Sequence, residues 1–179
     1  SELVALLTPI VKAFITDNGL ASTILGMQVF GGHGFIRETG AEQFVRDARI
    51  NTIYEGTNGI QALDLLGRKV LGDGGARLRR LGALIKEFIE AQSSRPEMAE
   101  FLKPLGELAG GIEKLTVEVG MKAFQNQDEV GAAAVDYLRV IGHLVYSYLW
   151  ARMAALAVGR QDDSFYRAKL TVARFYFQK

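Results

Sequence analysis

The sequence predicts an all-α protein built from two helical parts in series. Apolar residues recur at i, i+3, i+4 spacing along most of the chain, the signature of one-sided helices. No segment reads as a strand, an internal repeat or a low-complexity tract. The glycines are unevenly placed, with 12 of the 20 between residues 19 and 75. The first part therefore needs tight turns and close backbone approach, and the second mostly long helices.

Leu3, Leu6, Leu7, Ile10, Val11 and Phe14 mark the apolar face of the first helix. Asp17-Asn18-Gly19 is expected to interrupt or bend it, because Asn and Gly tolerate left-handed backbone angles. A second stretch, from about residue 21 to 30, stops at Gly31-Gly32. Residues 42–48 read as a shorter helix. Thr57 caps another that runs through Leu63, Leu66 and Val70. Gly72-Asp73-Gly74-Gly75 favours neither helix nor strand and marks the expected boundary between residues 1–72 and residues 76–179.

Beyond that boundary, Leu78, Leu81, Leu84, Ile85 and Phe88 form a further apolar face. Ser93-Ser94-Arg95-Pro96 breaks the pattern and supplies a proline suited to a helix start. Helical patterns then cover residues 97–124, 129–158 and 164–177. Four antiparallel helices joined by short loops predict a second small bundle. Phe88, Leu102, Leu115, Leu138, Leu144 and Leu156 are expected to share its core.

Composition narrows the function. Hydrophobic residues make up 49% of the 179, and a domain of this length buries about 70% of its unfolded surface. A formal net charge of +1 provides no field toward nucleic acid or a membrane surface. Arg77, Arg79 and Arg80 read as a solvated helix face. The absence of cysteine excludes disulfides and thiolate metal sites, and His33 and His143 lack metal-ligand spacing. No apolar run is expected to reach the roughly 18 residues of a spanning helix, and no signal peptide is visible. A cytoplasmic protein is the default expectation.

The chemistry concentrates at Ile53-Tyr54-Glu55-Gly56-Thr57, where one carboxylate sits in a short turn before a residue with no side chain. Alone, such a glutamate is an ordinary surface charge. A carboxylate that removes a proton α to a carbonyl works best partly buried, where desolvation makes it a stronger base. Ile53 and Tyr54 are suitable neighbours for Glu55. A Gly-rich run, Gln28-Val29-Phe30-Gly31-Gly32-His33-Gly34-Phe35, precedes this turn.

Together with Phe44-Val45-Arg46-Asp47-Ala48-Arg49-Ile50 and Asn58-Gly59-Ile60-Gln61, these segments resemble the C-terminal helical domain of the acyl-CoA dehydrogenases. Those flavoenzymes of fatty acid metabolism desaturate acyl thioesters between the α and β carbons. The likeness covers roughly residues 5–72. Residues 76–179 look like the extra helical extension of a bacterial subgroup acting on longer or unusual acyl-CoA substrates.

The resemblance implies FAD as cofactor and Glu55 as catalytic base, taking the α proton while the β-hydrogen leaves as hydride. It implies that the Glu55 N–H donates to the thioester oxygen, with Glu55 and Gly56 contacting substrate. Gln28, Val29, Phe30, Gly31 and Gly32 would meet the adenosine and pyrophosphate of a flavin held mainly by a neighbouring subunit. A homo-oligomer is expected on that ground. Thr57, Asn58 and Gly59 would touch the cofactor from a helix start. Gly59 departs from the polar side chain common in the family, which leaves only a backbone contact there.

The implied partners are acyl-CoA and an electron-transfer flavoprotein or similar acceptor, with neither membrane nor nucleic acid. In the family, an N-terminal helical domain and a middle β-domain precede this region. The chain, which opens Ser1-Glu2, is accordingly read as a fragment that is inactive alone. A competing reading is a non-catalytic interaction module, or a DNA-binding stress-response relative of the same fold. The intact Tyr54-Glu55-Gly56-Thr57 turn and the small net charge argue against it. Arg46 and Asp47 read as a structural ion pair, His33 as a turn residue and His143 as a satisfied core histidine. Tyr137, Tyr146, Tyr148, Trp150, Phe165, Tyr166, Phe175, Tyr176 and Phe177 read as packing residues.

Overall fold

A computed structural model describes residues 2–178, and among the described residues every regular element is helical. The chain groups into two compact units, residues up to Gly74 with Val130–Arg139, and Gly75–Glu129 with the residues from Val140 onward.

In the first unit, helix α1 runs unbroken over Glu2–Val29. The expected break at Asp17-Asn18-Gly19 does not occur. Asn18 turns its amide back onto the Phe14 carbonyl at 2.7 Å, and Ser22 does the same to Asn18. Asp17 is held from outside by Asn58 at 2.7 Å. The local turn preference yields to tertiary packing of α1 against the later helices of the same unit.

The unbroken helix also overturns the expectation that no run is long and apolar enough to span a membrane. An 18-residue window of α1 has mean hydropathy 1.4, with 28% of the window buried within the chain. Leu6, Pro9, Ile10, Ala13 and Phe14 form its buried face, while Val4, Val11, Ile15, Ile24, Leu25 and Val29 stay exposed.

A short helix α2 (Gly32–Phe35), a 3-10 turn (Arg37–Thr39) and helix α3 (Ala41–Ile50) follow. Helix α4 (Asn58–Leu63) passes into a π-helical stretch (Asp64–Val70) and a 3-10 turn (Leu71–Asp73). Helix α1 packs on α3, on α4 and on the π-helical stretch. Leu6, Leu65, Leu66 and Val70 are fully buried there.

The second unit comprises α5 (Ala76–Gln92), α6 (Ala99–Gln125), the part of α7 (Asp128–Ala157) from Val140, and α8 (Ser164–Gln178). Pro96 opens a 3-10 turn (Pro96–Met98) that leads into α6, consistent with proline's fit to a first helical position. Side-chain contacts give the helix directions. Phe88 meets Tyr148, and Arg95 donates to the Ala155 carbonyl, so α5 and α7 run the same way. Lys169 lies over Trp150 while Tyr176 reaches His143, so α8 runs against α7. The start of α6 meets the end of α8, where Glu100 pairs with Arg174 at 2.9 Å.

The core differs in part from the expected set. Leu102 and Leu144 are buried, Phe88 and Leu115 are half-buried, and Leu138 is buried but groups with the first unit. Leu156 is 62% exposed. The inward face near the end of α7 is instead Ala151, Ala154 and Ala157, each fully buried. Leu156, two residues from Ala154, lies on the opposite side of a helix with 3.6 residues per turn.

The aromatic residues mostly pack as expected. Phe101 and Phe177 meet edge to face at 5.4 Å, and Tyr176 sits against Tyr146 and Trp150. Phe165 and Phe175 are exposed. His143 is bonded through Nδ1 to the Tyr176 hydroxyl at 3.0 Å, but it is exposed and not a core histidine.

Candidate active site

The candidate catalytic turn joins α3 to α4. The end of α3 is stopped by Ile53 and Tyr54, whose amides both return to the Ile50 carbonyl. Thr52 is buried, with its hydroxyl bonded to Arg49 at 2.9 and 3.0 Å. Its carbonyl accepts from the Asn58 amide at 3.1 Å and closes the loop. Between those two anchors the chain reverses through Glu55, at φ 55°, and Gly56, at φ 84°. Glu55 is the only non-glycine at positive φ among the described residues. A left-handed backbone costs an L residue about 1–2 kcal/mol.

The Glu55 carboxylate is exposed and makes no hydrogen bond or ion pair among the described residues. Ile53 and Tyr54 are themselves 46% and 48% exposed. The shielding expected from these two neighbours is therefore not provided within this chain. The Glu55 and Gly56 amides likewise donate to no group among the described residues. The Glu55 carbonyl accepts from Gln61 Nε2 at 3.3 Å.

Thr57 caps α4 by accepting from the Ile60 amide at 3.4 Å. The Asn58 side chain is committed to α1. Its Oδ1 accepts from Lys12 Nζ at 2.8 Å, and its Nδ2 donates to Thr16 at 2.9 Å and to Asp17 at 2.7 Å. A hypothetical Cβ on Gly59 would meet nothing within 4 Å.

Gln28 to Gly32 form one exposed corner. Helix α1 ends as Phe30 and Gly31 return their amides to the Met27 and Gln28 carbonyls. Gly31, at φ 58° and ψ −141°, turns the chain. Gly34 follows because a Cβ there would lie 2.1 Å from the Met27 carbonyl oxygen. No such demand applies to Gly32, whose Cβ would enter open space. Gln28 lies 11 residues after Asp17 on α1, about 16 Å at the helical rise. The candidate catalytic turn is latched beside Asp17 through Asn58, so this chain keeps the two groups of predicted residues apart.

Several sequence expectations change here. Arg46 pairs with Glu42 at 4.0 Å, and Asp47 accepts from Gln43 at 2.7 Å. Adjacent residues do not face each other on a helix, whereas those four apart do. His33 is exposed, and its carbonyl accepts from the Thr39 hydroxyl. Among the described residues, no cluster of His, Asp and Glu is arranged to hold a metal. The sequence gives no sign of Lys12 or Thr16, and it presents Asp17 only as part of a break signal and Gln61 only within a family-like segment. The first three meet Asn58 only across 41 to 46 residues of chain, so no local pattern announces them.

Residues 4–71 match the family model described as acyl-CoA dehydrogenase, C-terminal domain. Residues 81–179 match the model described as acetyl-CoA dehydrogenase C-terminal like. The 3-methylmercaptopropionyl-CoA dehydrogenase of Ruegeria pomeroyi is 38% identical over 97% of this chain and 30% of its own length. The broad-specificity linear acyl-CoA dehydrogenase FadE5 of Mycobacterium tuberculosis is 33% identical over 96% of the chain, again 30% of its own length. The chain thus spans about 30% of the length of these curated relatives. A crystal structure of Caenorhabditis elegans ACDH-11 in complex with C11-CoA superposes with a TM-score of 0.77. It covers 98% of this chain and 28% of the other at 22% identity, a shared fold.

Proposed function

The chain belongs to the acyl-CoA dehydrogenase family, and we propose that it carries the catalytic turn of a flavin-dependent enzyme that desaturates an acyl-CoA thioester. The observation that carries this reading is the backbone of Glu55. Strain at a non-glycine residue persists where the surroundings enforce it, and it concentrates at functional sites. Here it presents an unpaired carboxylate and an unpaired amide on the same exposed turn.

In this reading the Glu55 carboxylate takes the proton from the α carbon. The Glu55 N–H donates to the thioester oxygen, where negative charge develops. Gly56 leaves the backbone uncovered, so the thioester can lie against it. Ile53 and Tyr54 supply apolar surface beside the base, which excludes water once acyl chain and neighbouring protein cover them. FAD, when bound, supplies the acceptor for the β-hydrogen, and a carrier such as an electron-transfer flavoprotein takes the electrons onward.

The residues present fit such a dinucleotide. Gly32 and Gly59 are glycines that nothing within the chain requires, and a side chain at either would project into open space. That open space leaves room for a ligand at both positions, as it does at other exposed glycines such as Gly26. Gln28 to Gly32 would hold the adenosine and pyrophosphate end, and Thr57 and Gly59 another part of the cofactor. The Asn58 side chain is already engaged by α1, which leaves it a structural role. The separation of the two groups along α1 supports a flavin shared between copies of the protein, hence a homo-oligomer. Val29, Phe30 and Phe35, at 86%, 59% and 76% exposure, are the surface such a neighbour would cover.

The test is Glu55→Gln in the flavin-loaded full-length protein, assayed by flavin bleaching against a panel of acyl-CoA thioesters. The amide cannot accept the proton, so turnover should fall by about 10²- to 10⁴-fold, with flavin content and melting temperature unchanged. Near-normal turnover removes Glu55 from the mechanism.

A further inference from the structure

We infer that Gln61 is a positioning residue for the catalytic turn: its side-chain amide pins the Glu55 carbonyl and so holds the proposed base in its left-handed conformation. The inference rests on the reading of Glu55 as base.

The geometry interlocks three residues. Gln61 lies one turn into α4, its backbone amide bonded to the Thr57 carbonyl at 3.0 Å. From there Nε2 reaches back to the Glu55 carbonyl at 3.3 Å. The same Nε2 stands 2.8 Å from the position a Cβ would occupy on Gly56. A side chain at 56 would therefore displace the Gln61 amide, and glycine there serves this contact as well as its own φ of 84°. With its carbonyl held, the peptide plane between Glu55 and Gly56 cannot rotate freely. The exit direction of the carboxylate is then set by the rigid start of α4 rather than by the loop.

That start is itself anchored. The Asn58 amide is bonded to Thr52, and its side chain is bonded to Lys12 and Asp17 on α1. Asn58 thus fixes α4 to the body of the unit, and Gln61 transmits that fixity to Glu55. Misplacing a reacting group by about 1 Å can cost on the order of 100-fold in rate.

Gln61→Met in the flavin-loaded full-length protein tests this. Methionine matches glutamine in length and helix preference but has no donor. We expect kcat to fall roughly tenfold or more, the scale of a small displacement of the base, with KM within about twofold and flavin content unchanged. The isotope effect on kcat with α-deuterated substrate should rise, because proton removal becomes slower; a merely structural loss would not raise it. Gln43→Met makes the same chemical change on exposed α3 and should leave all four readouts unaltered. Wild-type kcat and isotope effect in Gln61→Met would overturn the inference, as would a loss of kcat that tracks loss of flavin. Glu55→Gln, run alongside, separates the two claims. If it still turns over, the base is wrong; if it is dead while Gln61→Met is normal, only the positioning role fails.

Discussion

Replacing Asn58 by alanine should release the proposed catalytic turn from α1 and destabilise the first unit. Asn58 makes two bonds to charged partners, Lys12 and Asp17, and one short bond to Thr16. Bonds to charged groups contribute about 1.5–3 kcal/mol and neutral ones about 1 kcal/mol, so the low end of the sum is about 4 kcal/mol. Asp17 is exposed and Lys12 only half-buried, so water recovers part of this and about 2–3 kcal/mol remains. For a unit of this size each kcal/mol moves the melting temperature by about 4–8 °C, which predicts a drop of roughly 8–24 °C in the transition of the first unit. Trp150, the single tryptophan, lies in the second unit. Its fluorescence follows that unit while far-UV circular dichroism weighs both, so the loss should be larger by dichroism. Asn58→Asp keeps an acceptor for Lys12 but sets a carboxylate opposite Asp17. It should be destabilised at neutral pH by the repulsion between the two facing carboxylates. An Asn58→Ala melting temperature within about 2 °C of wild type would refute the latch.

Glu55→Gly should abolish turnover yet raise stability by about 1 kcal/mol, because glycine accepts φ 55° without the penalty an L residue incurs; an unchanged or lower melting temperature would mean that the turn is not strained. Phe101, fully buried and edge to face with Phe177, should cost about 3–5 kcal/mol on truncation to alanine, read as an earlier Trp150 fluorescence transition. Burial raises the Tyr176 pKa above its ordinary value, against a lowering from its bond to Ser147. The native phenol therefore keeps its proton at a pH where the unfolded one has lost it. The stability from this group is complete below about pH 10 and is lost as pH rises through the native value. In Tyr176→Phe, alkaline denaturation should be less steep over that range.

What the sequence alone determined is what local physics controls. The ends of α6, α7 and α8 fall within two residues of the apolar patterns at 97–124, 129–158 and 164–177, since periodicity and breakers act over a few residues. Pro96 at a helix start, the Thr57 cap and the Gly31 turn are likewise choices of single residues. The tertiary structure decided the rest. It carried α1 through Asn18-Gly19, where packing outweighs the turn preference of two residues. It turned the small alanine face of α7 inward and left Leu156 in solvent, a choice set by which side a neighbouring helix can approach. It joined Lys12 and Asp17 to Asn58 across more than 40 residues. The turn segment named the candidate base, but no pattern in Tyr54-Glu55-Gly56 announces a left-handed glutamate. That conformation is set by Thr52, Asn58 and Gln61, all within six residues of Glu55, but Asn58 is itself held by Lys12 and Asp17 of α1, which reach it only once the chain has folded.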